Sequence, residues 1–205
     1  MQDAFLHDFN LIIEEFNFYQ QIPPKMQTKI MNTIFKDFQI QFRHFFEYCE
    51  RGFVNELIIN MFARIYEPDV TIVHYGEKFR QLYFIVEGAV TMYNKFLIRD
   101  FMYLPQYSIF GDYQIICDLK SNIVYKTKVA DKEQHHQVRF MCVHKKVFNN
   151  LCDLFPVTAE NIKQRGLEKR LHYLKAMEKL DMQTDNYKAL KRSSKEDAKM
   201  HINGS

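Results

Sequence analysis

The chain has 205 residues, of which 47% are hydrophobic and 26% charged, with 19 Phe, 12 Tyr, 6 Gly, 5 Pro and no Trp. This composition excludes a disordered chain, a collagen and a disulfide scaffold, and the length suits one full domain with an appendage. Its 28 basic and 25 acidic residues leave a formal charge of +3, too even a balance for a general phosphate-binding surface, so nucleic acid is not an expected partner.

Residues Asp3 to Gln20 place Phe5, Leu6, Phe9, Ile12, Ile13 and Phe16 at helical spacing, which predicts an amphipathic helix. Pro23 and Pro24 end it, because proline is tolerated at the start of a helix but not inside one. A second helix is expected from Lys25, with Met26, Ile30, Ile34 and Phe38 on one face. The first 43 residues thus read as a helical hairpin. A third helix carries Phe53, Leu57, Ile58 and Met61 and is expected to run up to Glu67 and Pro68.

The period then changes. Short β-branched and aromatic segments at Val70 to His74, Leu82 to Val86, Val90 to Tyr93, Phe101 to Leu104, Val124 to Ala130 and Gln137 to His144 are punctuated by turn residues. Such spacing predicts a small antiparallel sandwich or barrel of about eight strands. Asp112 to Leu119 reads as one or two helical turns, Lys145 to Phe155 as a brief helix and Ala159 to Leu180 as a long one. Residues 181–205 lose the apolar repeat and read as a polar, mobile tail. The expected class is α+β, with the β domain over residues 44–180.

Cys49, Cys117, Cys142 and Cys152 have no C-x-x-C spacing and read as reduced thiols of a cytosolic protein. No basic stretch followed by an apolar core opens the chain, so no secretory signal is expected. The apolar windows around Leu11 to Phe18 and Leu57 to Phe62 are broken by Glu14, Glu15 and Asn60 and fall short of the ~18 residues that span a bilayer. His135, His136, Cys142 and His144 have metal-ligand chemistry, but strand alternation puts Val138, Phe140, Cys142 and His144 on one mostly apolar face, so no metal is expected. Without a Ser-His-Asp order, a P-loop or a paired-carboxylate site, no catalytic residue stands out and no enzyme is expected. Lys191-Arg192-Ser193-Ser194 has the pattern of a basic-directed phosphorylation site.

The segment Tyr83-Phe84-Ile85-Val86-Glu87-Gly88-Ala89-Val90, followed by Phe110-Gly111-Asp112, resembles cyclic-nucleotide-binding domains. The region from Tyr19 through Phe46 resembles the helical linker that joins such domains to the pore of voltage-gated and cyclic-nucleotide-gated cation channels, though it is shorter than in hyperpolarization-activated channels. The resemblance implies an eight-stranded, jelly-roll-like β-roll with a short cassette helix and two C-terminal helices. It implies a possible cAMP or cGMP ligand, no other cofactor, a place in a tetrameric channel at the cytosolic face of a membrane, and the pore and neighbouring identical subunits as partners. A nucleotide would lie over Phe110, Gly111, Asp112 and Tyr113, with phosphate ligands among Lys120, Ser121, Lys126 and Thr127 and a base cap among Arg165, Lys169 and Arg170.

The match is partial. Asp112 stands where the family has Glu, and no Arg occurs between Arg99 and Arg139, so the family's phosphate-pairing guanidinium has only lysines to replace it. Lys120-Ser121-Asn122 resembles the cassette of ether-à-go-go type potassium channels, whose domains of this fold do not respond to cyclic nucleotides in the ordinary way. Four readings follow: a channel gating module; a stand-alone cyclic-nucleotide receptor or kinase-regulatory sensor; a transcription regulator of the same fold, which the polar tail disfavours; and a structural adaptor whose pocket is closed by its own Tyr173 or Met177. The aromatic residues Phe16, Phe18, Phe35, Phe38, Phe42, Phe45 and Phe46 exceed what a short hairpin buries. Some are expected to meet a neighbouring subunit, the alternative being that they pack back onto the sandwich.

Overall fold

The computed structural model describes residue 23 and residues 35–94, 100–128 and 137–202, with side chains as far as residue 179. The helix expected over Asp3 to Gln20 and most of its partner lie outside the described residues, as do His135, His136 and the side chains of the Lys191 to Ser194 motif.

Among the described residues, three short helices precede the strands: α1 (Lys36–Gln41), α2 (Arg43–Phe46) and α3 (Arg51–Ile59). Eight strands follow: β1 (Phe62–Tyr66), β2 (Thr71–Val73), β3 (Gln81–Glu87), β4 (Ala89–Tyr93), β5 (Asp100–Leu104), β6 (Ile109–Phe110), β7 (Val124–Lys128) and β8 (Val138–His144). The helix α4 (Asp112–Ile116) is inserted between β6 and β7, and α5 (Lys145–Leu154) and α6 (Pro156–Ile202) close the chain. The class is α+β, and the strands form two four-stranded antiparallel sheets, β1-β8-β3-β6 and β2-β7-β4-β5. This is the two-sheet arrangement of a jelly roll, not a closed barrel.

The expected bounds of two helices are corrected. The third helix stops at Ile59, where the Asn60 side chain donates to the Glu56 carbonyl, and residues 62–66 form β1 instead of continuing as helix to Glu67. Their partner is β8, in register from Phe62 opposite Cys142 to Tyr66 opposite Val138. A ladder about eighty residues away in sequence overrides the local helical period. The long helix also begins at Pro156, three residues before the expected start, and its backbone stays helical through the segment read as a tail. Proline at the first helical position costs no intrahelical bond. The buried Thr158 hydroxyl then ties this end to α3, accepting from the Glu50 amide at 2.9 Å and donating to the Glu50 carboxylate at 3.0 Å.

Strand β3 sits inside its sheet and is covered on both faces, which is why its sequence is apolar without alternation. Successive side chains point oppositely. Tyr83 faces the interior between the sheets, where it stacks on Phe110 at 4.8 Å, and Phe110 stacks in turn on Tyr125 of β7 at 5.0 Å. Phe84 faces outward beneath α1 and α2, within 6 Å of the rings of Phe38, Phe42, Phe45 and Phe46. Phe35, Phe38, Phe42, Phe45 and Phe46 are all buried. These five rings therefore pack back onto the roll, correcting the expectation of a partner for them; Phe16 and Phe18 lie outside the described residues.

The thiols behave as packing groups. Cys142 is buried, the other three are half-buried, and none is bonded to another. Burial pushes the Cys49 and Cys152 thiols up to about 12, so neither is a nucleophile at neutral pH.

Candidate functional site: the cassette and the last helix

The cassette begins where β6 hands over to α4. Gly111 takes the left-handed conformation, with φ +96°, and a Cβ there would lie 2.9 Å from the Gln81 carbonyl oxygen, so both backbone and space require glycine. Gly76 and Gly88, at turns between strands, have positive φ as well. Asp112 follows as the first residue of α4, where a carboxylate suits the helix dipole. The helix has only five residues and ends before Asp118, itself at φ 48°.

Asp112 is buried, and its Oδ2 accepts a hydrogen bond from Lys169 Nζ of α6 at 2.6 Å. The same ammonium donates to the Ile109 carbonyl at 3.2 Å. The other carboxylate oxygen, Oδ1, is buried with no hydrogen-bond partner. One turn before Lys169, Gly166 lies flat against Tyr113: a Cβ at 166 would overlap Tyr113 Cβ and come within 3.3 Å of Tyr113 Cα. One turn after it, Tyr173 is 4% exposed. Inside the cassette, Gln114 Nε2 donates to the Tyr125 hydroxyl at 3.1 Å. Desolvation raises the hydroxyls of Tyr113, Tyr125 and Tyr173, so all three stay neutral.

Between α2, the β5–β6 turn, α4 and α6 lies a cavity of about 500 Å³. Its polar lining includes His44, Ser108, Asp112, Arg165, Lys169 and Tyr173, together with Tyr48, Glu168 and His172. Burial first, and then the Lys169 and Arg165 cations, lower His44 below its ordinary value, so at pH 7 it presents a neutral ring. The volume falls within the range of small-ligand sites.

The structure gathers only part of the expected set here. Asp112, Lys169 and Arg165 meet at the cavity, although Arg165 lies over the Tyr48 ring, 3.9 Å from its centroid. Phe110 and Tyr113 belong to the core behind it, and Arg170 is half-buried beside Tyr113. The expected phosphate ligands are elsewhere. Lys120 is exposed, and Ser121 Oγ donates to the Ile123 carbonyl at 2.6 Å. Lys126 pairs with Asp69 at 3.3 Å. Thr127 Oγ1 donates to the Glu67 carbonyl and accepts from the Val70 amide, both at 2.8 Å, which fastens the β1–β2 turn. Sequence reading missed His44 and Ser108. Nothing local marks either, since their relation to Lys169 exists only after folding.

The contact at Gly166 makes a prediction of unusual sign. Gly to Ala inside a helix ordinarily stabilises by about 1 kcal/mol, whereas overpacking a close contact costs roughly 1 to 3 kcal/mol. Gly166→Ala is therefore expected to lower stability by about 1 kcal/mol, read as a lower midpoint in urea. A gain instead would show that α6 does not lie on the cassette.

No protein-family model matches the chain. It is 24% identical over 146 residues to potassium channel KOR1 of Oryza sativa subsp. japonica, a stretch covering 70% of this chain and 16% of that protein. It is 25% identical over 142 residues to potassium channel SKOR of Arabidopsis thaliana, covering 66% of this chain and 16% of that protein. The chain thus matches about a sixth of the length of each relative. Among the described residues no helix is long and apolar enough to cross a membrane.

Proposed function

We propose that this chain is a non-enzymatic regulatory module of a potassium channel, held at the cytosolic face of the membrane, in which the position of α6 on the cassette is the regulated variable. The observation that carries this reading is the Asp112–Lys169 pair. A carboxylate at the position where the resembling family binds ribose is held by the chain's own last helix. With Tyr173 buried beside it, the cassette is engaged from within, as in an adaptor closed by its own side chains.

The likeness to channel sequences supplies the context. Helices α1 and α2 share a core with β3 through Phe84, so a shift of the cassette against α6 can reach the linker by rigid packing, and through it a pore and the identical subunits around it. A coupling of about 1 to 3 kcal/mol is enough to bias two pore states.

A second reading, a cAMP or cGMP receptor, is favoured by one feature: Asp112 Oδ1 is buried without a partner and belongs to a residue that lines the cavity with Arg165 and Lys169. Such an oxygen can accept from a ribose hydroxyl. Calorimetric titration with cAMP and then cGMP, with Asp112→Ala as control, separates the two. The self-engaged module gives no heat up to about millimolar ligand, a ceiling near 4 kcal/mol of binding free energy. Micromolar binding lost in Asp112→Ala overturns it in favour of the receptor.

A further inference from the structure

We infer that the groove between the β2–β3 connection, the start of β3 and the first turn of α5 is a binding site for a small compound carrying two or more phosphate groups. The groove measures about 840 Å³, larger than the cassette cavity, and is separate from it. Lys78, Arg80, Lys145 and Lys146 face it from these separate segments, with His74 and Glu77 at its edge. Its floor is apolar, with Phe79 and Tyr83 buried beneath the cations.

Two of the cations are already fixed. Lys78 Nζ and Lys145 Nζ each lie 2.5 Å from a different oxygen of Asp118, which holds the two ammonium groups side by side. Hydrogen bonds from Lys145 and Lys78 keep the Asp118 carboxyl down at about 2, so this anchor stays ionised at any physiological pH. One carboxylate between two ammonium groups leaves one positive charge over. The Glu77 carboxylate is turned onto its own loop, accepting from the His74 amide at 2.8 Å.

Arg80 and Lys146 are exposed and have no ion pair with any described residue. Their charges are uncommitted. The guanidinium offers a planar fork for two phosphate oxygens and the ammonium a mobile point charge. A chain or ring of phosphates can engage more of these cations at once than a single phosphate can. The inference is independent of the cassette reading, because no residue of the groove belongs to the cassette cavity.

The test is calorimetric titration with sodium tripolyphosphate at about 0.1 M salt, where general surface attraction is largely screened. Saturable one-to-one binding is expected, with inorganic monophosphate at least about tenfold weaker. Arg80→Gln combined with Lys146→Gln removes two charges without touching the Asp118 anchor and is expected to weaken tripolyphosphate about 100-fold, or roughly tenfold per cation. Lys126→Gln combined with Lys128→Gln removes the same charge from the other sheet and is expected to leave binding unchanged.

Co-sedimentation identifies the source of the phosphates. Binding to phosphatidylcholine vesicles carrying a phosphorylated inositol headgroup, but not to vesicles of equal charge carrying phosphatidylserine, assigns a lipid; tripolyphosphate binding without vesicle binding assigns a soluble compound. No saturable heat, or equal weakening in the two double variants, overturns the proposal. Should the Arg80/Lys146 double variant melt early, Lys146→Gln alone must still lose about tenfold.

Discussion

Phe84→Ala is expected to cost about 3 to 5 kcal/mol, the range for emptying a large aromatic site in a packed core. Phe84 is fully buried, and four rings from α1, α2 and the residue between them converge on it: Phe42 and Phe45 edge-on at 5.2 and 5.4 Å, Phe46 stacked at 5.9 Å and Phe38 tilted at 5.6 Å. Each aromatic pair adds about 0.5 to 1.5 kcal/mol beyond area burial, and pairs sharing one ring do not add independently. Since whole domains are stable by only about 5 to 15 kcal/mol, this one substitution removes a large part of the margin.

The loss has a location. It acts on the face of β3 that carries α1 and α2, so hydrogen exchange should accelerate first in those helices, ahead of the β3–β8 ladder. Urea unfolding gives the size of the effect and exchange gives its place. A cost below about 1 kcal/mol, with α1 and α2 still protected, would show that these helices are held by something other than Phe84.

Lys169→Met should destabilise the chain by about 2 to 3 kcal/mol. Breaking a buried pair from one side costs about 3 to 5 kcal/mol, because the other charge is left without compensation. The lower figure applies here since the Lys169 side chain is 27% exposed, against 9% for Asp112, so water reaches the pair from one side. The orphaned carboxylate would have both oxygens without a cation, as Oδ1 already has no hydrogen-bond partner. Methionine keeps most of the aliphatic stem, which isolates the charge from the packing.

A double-mutant cycle completes the argument. Asp112→Asn removes the charge that Lys169→Met strands, so the double variant should recover about 1 to 2 kcal/mol relative to Lys169→Met alone. If the costs of the two single variants simply add, the pair does not hold α6 to the cassette and the self-engaged reading loses its support. If they couple as expected, Lys169→Met also becomes the means to release α6. Nucleotide titration repeated in that variant then asks whether the cassette has latent binding capacity that the ion pair masks.

Much of the architecture was legible from local pattern. Strand segments such as Val90 to Tyr93 and Gln137 to His144 were found within a residue or two of β4 and β8. The helix expected from Lys145 matches α5, and Gly76, Gly88 and Gly111 occur where the backbone turns to positive φ. These features depend on neighbours a few residues apart, whose periodicity, sterics and turn chemistry are written in consecutive positions.

The site was far less legible. Asp112 and Lys169 stood out separately, each for a nucleotide contact, and nothing in the chain indicated that they bind each other across 57 residues. Lys120, Ser121, Lys126 and Thr127 looked like a phosphate set because they are close in sequence, yet successive side chains of a strand diverge, and a turn and a neighbouring loop claim Ser121 and Thr127. Residues 62–66 became a strand only because β8 offered a ladder.

The sequence by itself determined most of the order of helices and strands, the glycine turns and the chemistry available at the cassette. Tertiary structure alone decided that α1 and α2 spend their aromatic rings on Phe84, that α6 lies against Tyr113 through Gly166, and that the Asp112 carboxylate is engaged by Lys169. The physical reason is the same in each case: a buried ring or charge is stabilised by whatever partner the fold brings within contact distance, and that partner is chosen by packing in three dimensions, not by separation along the chain.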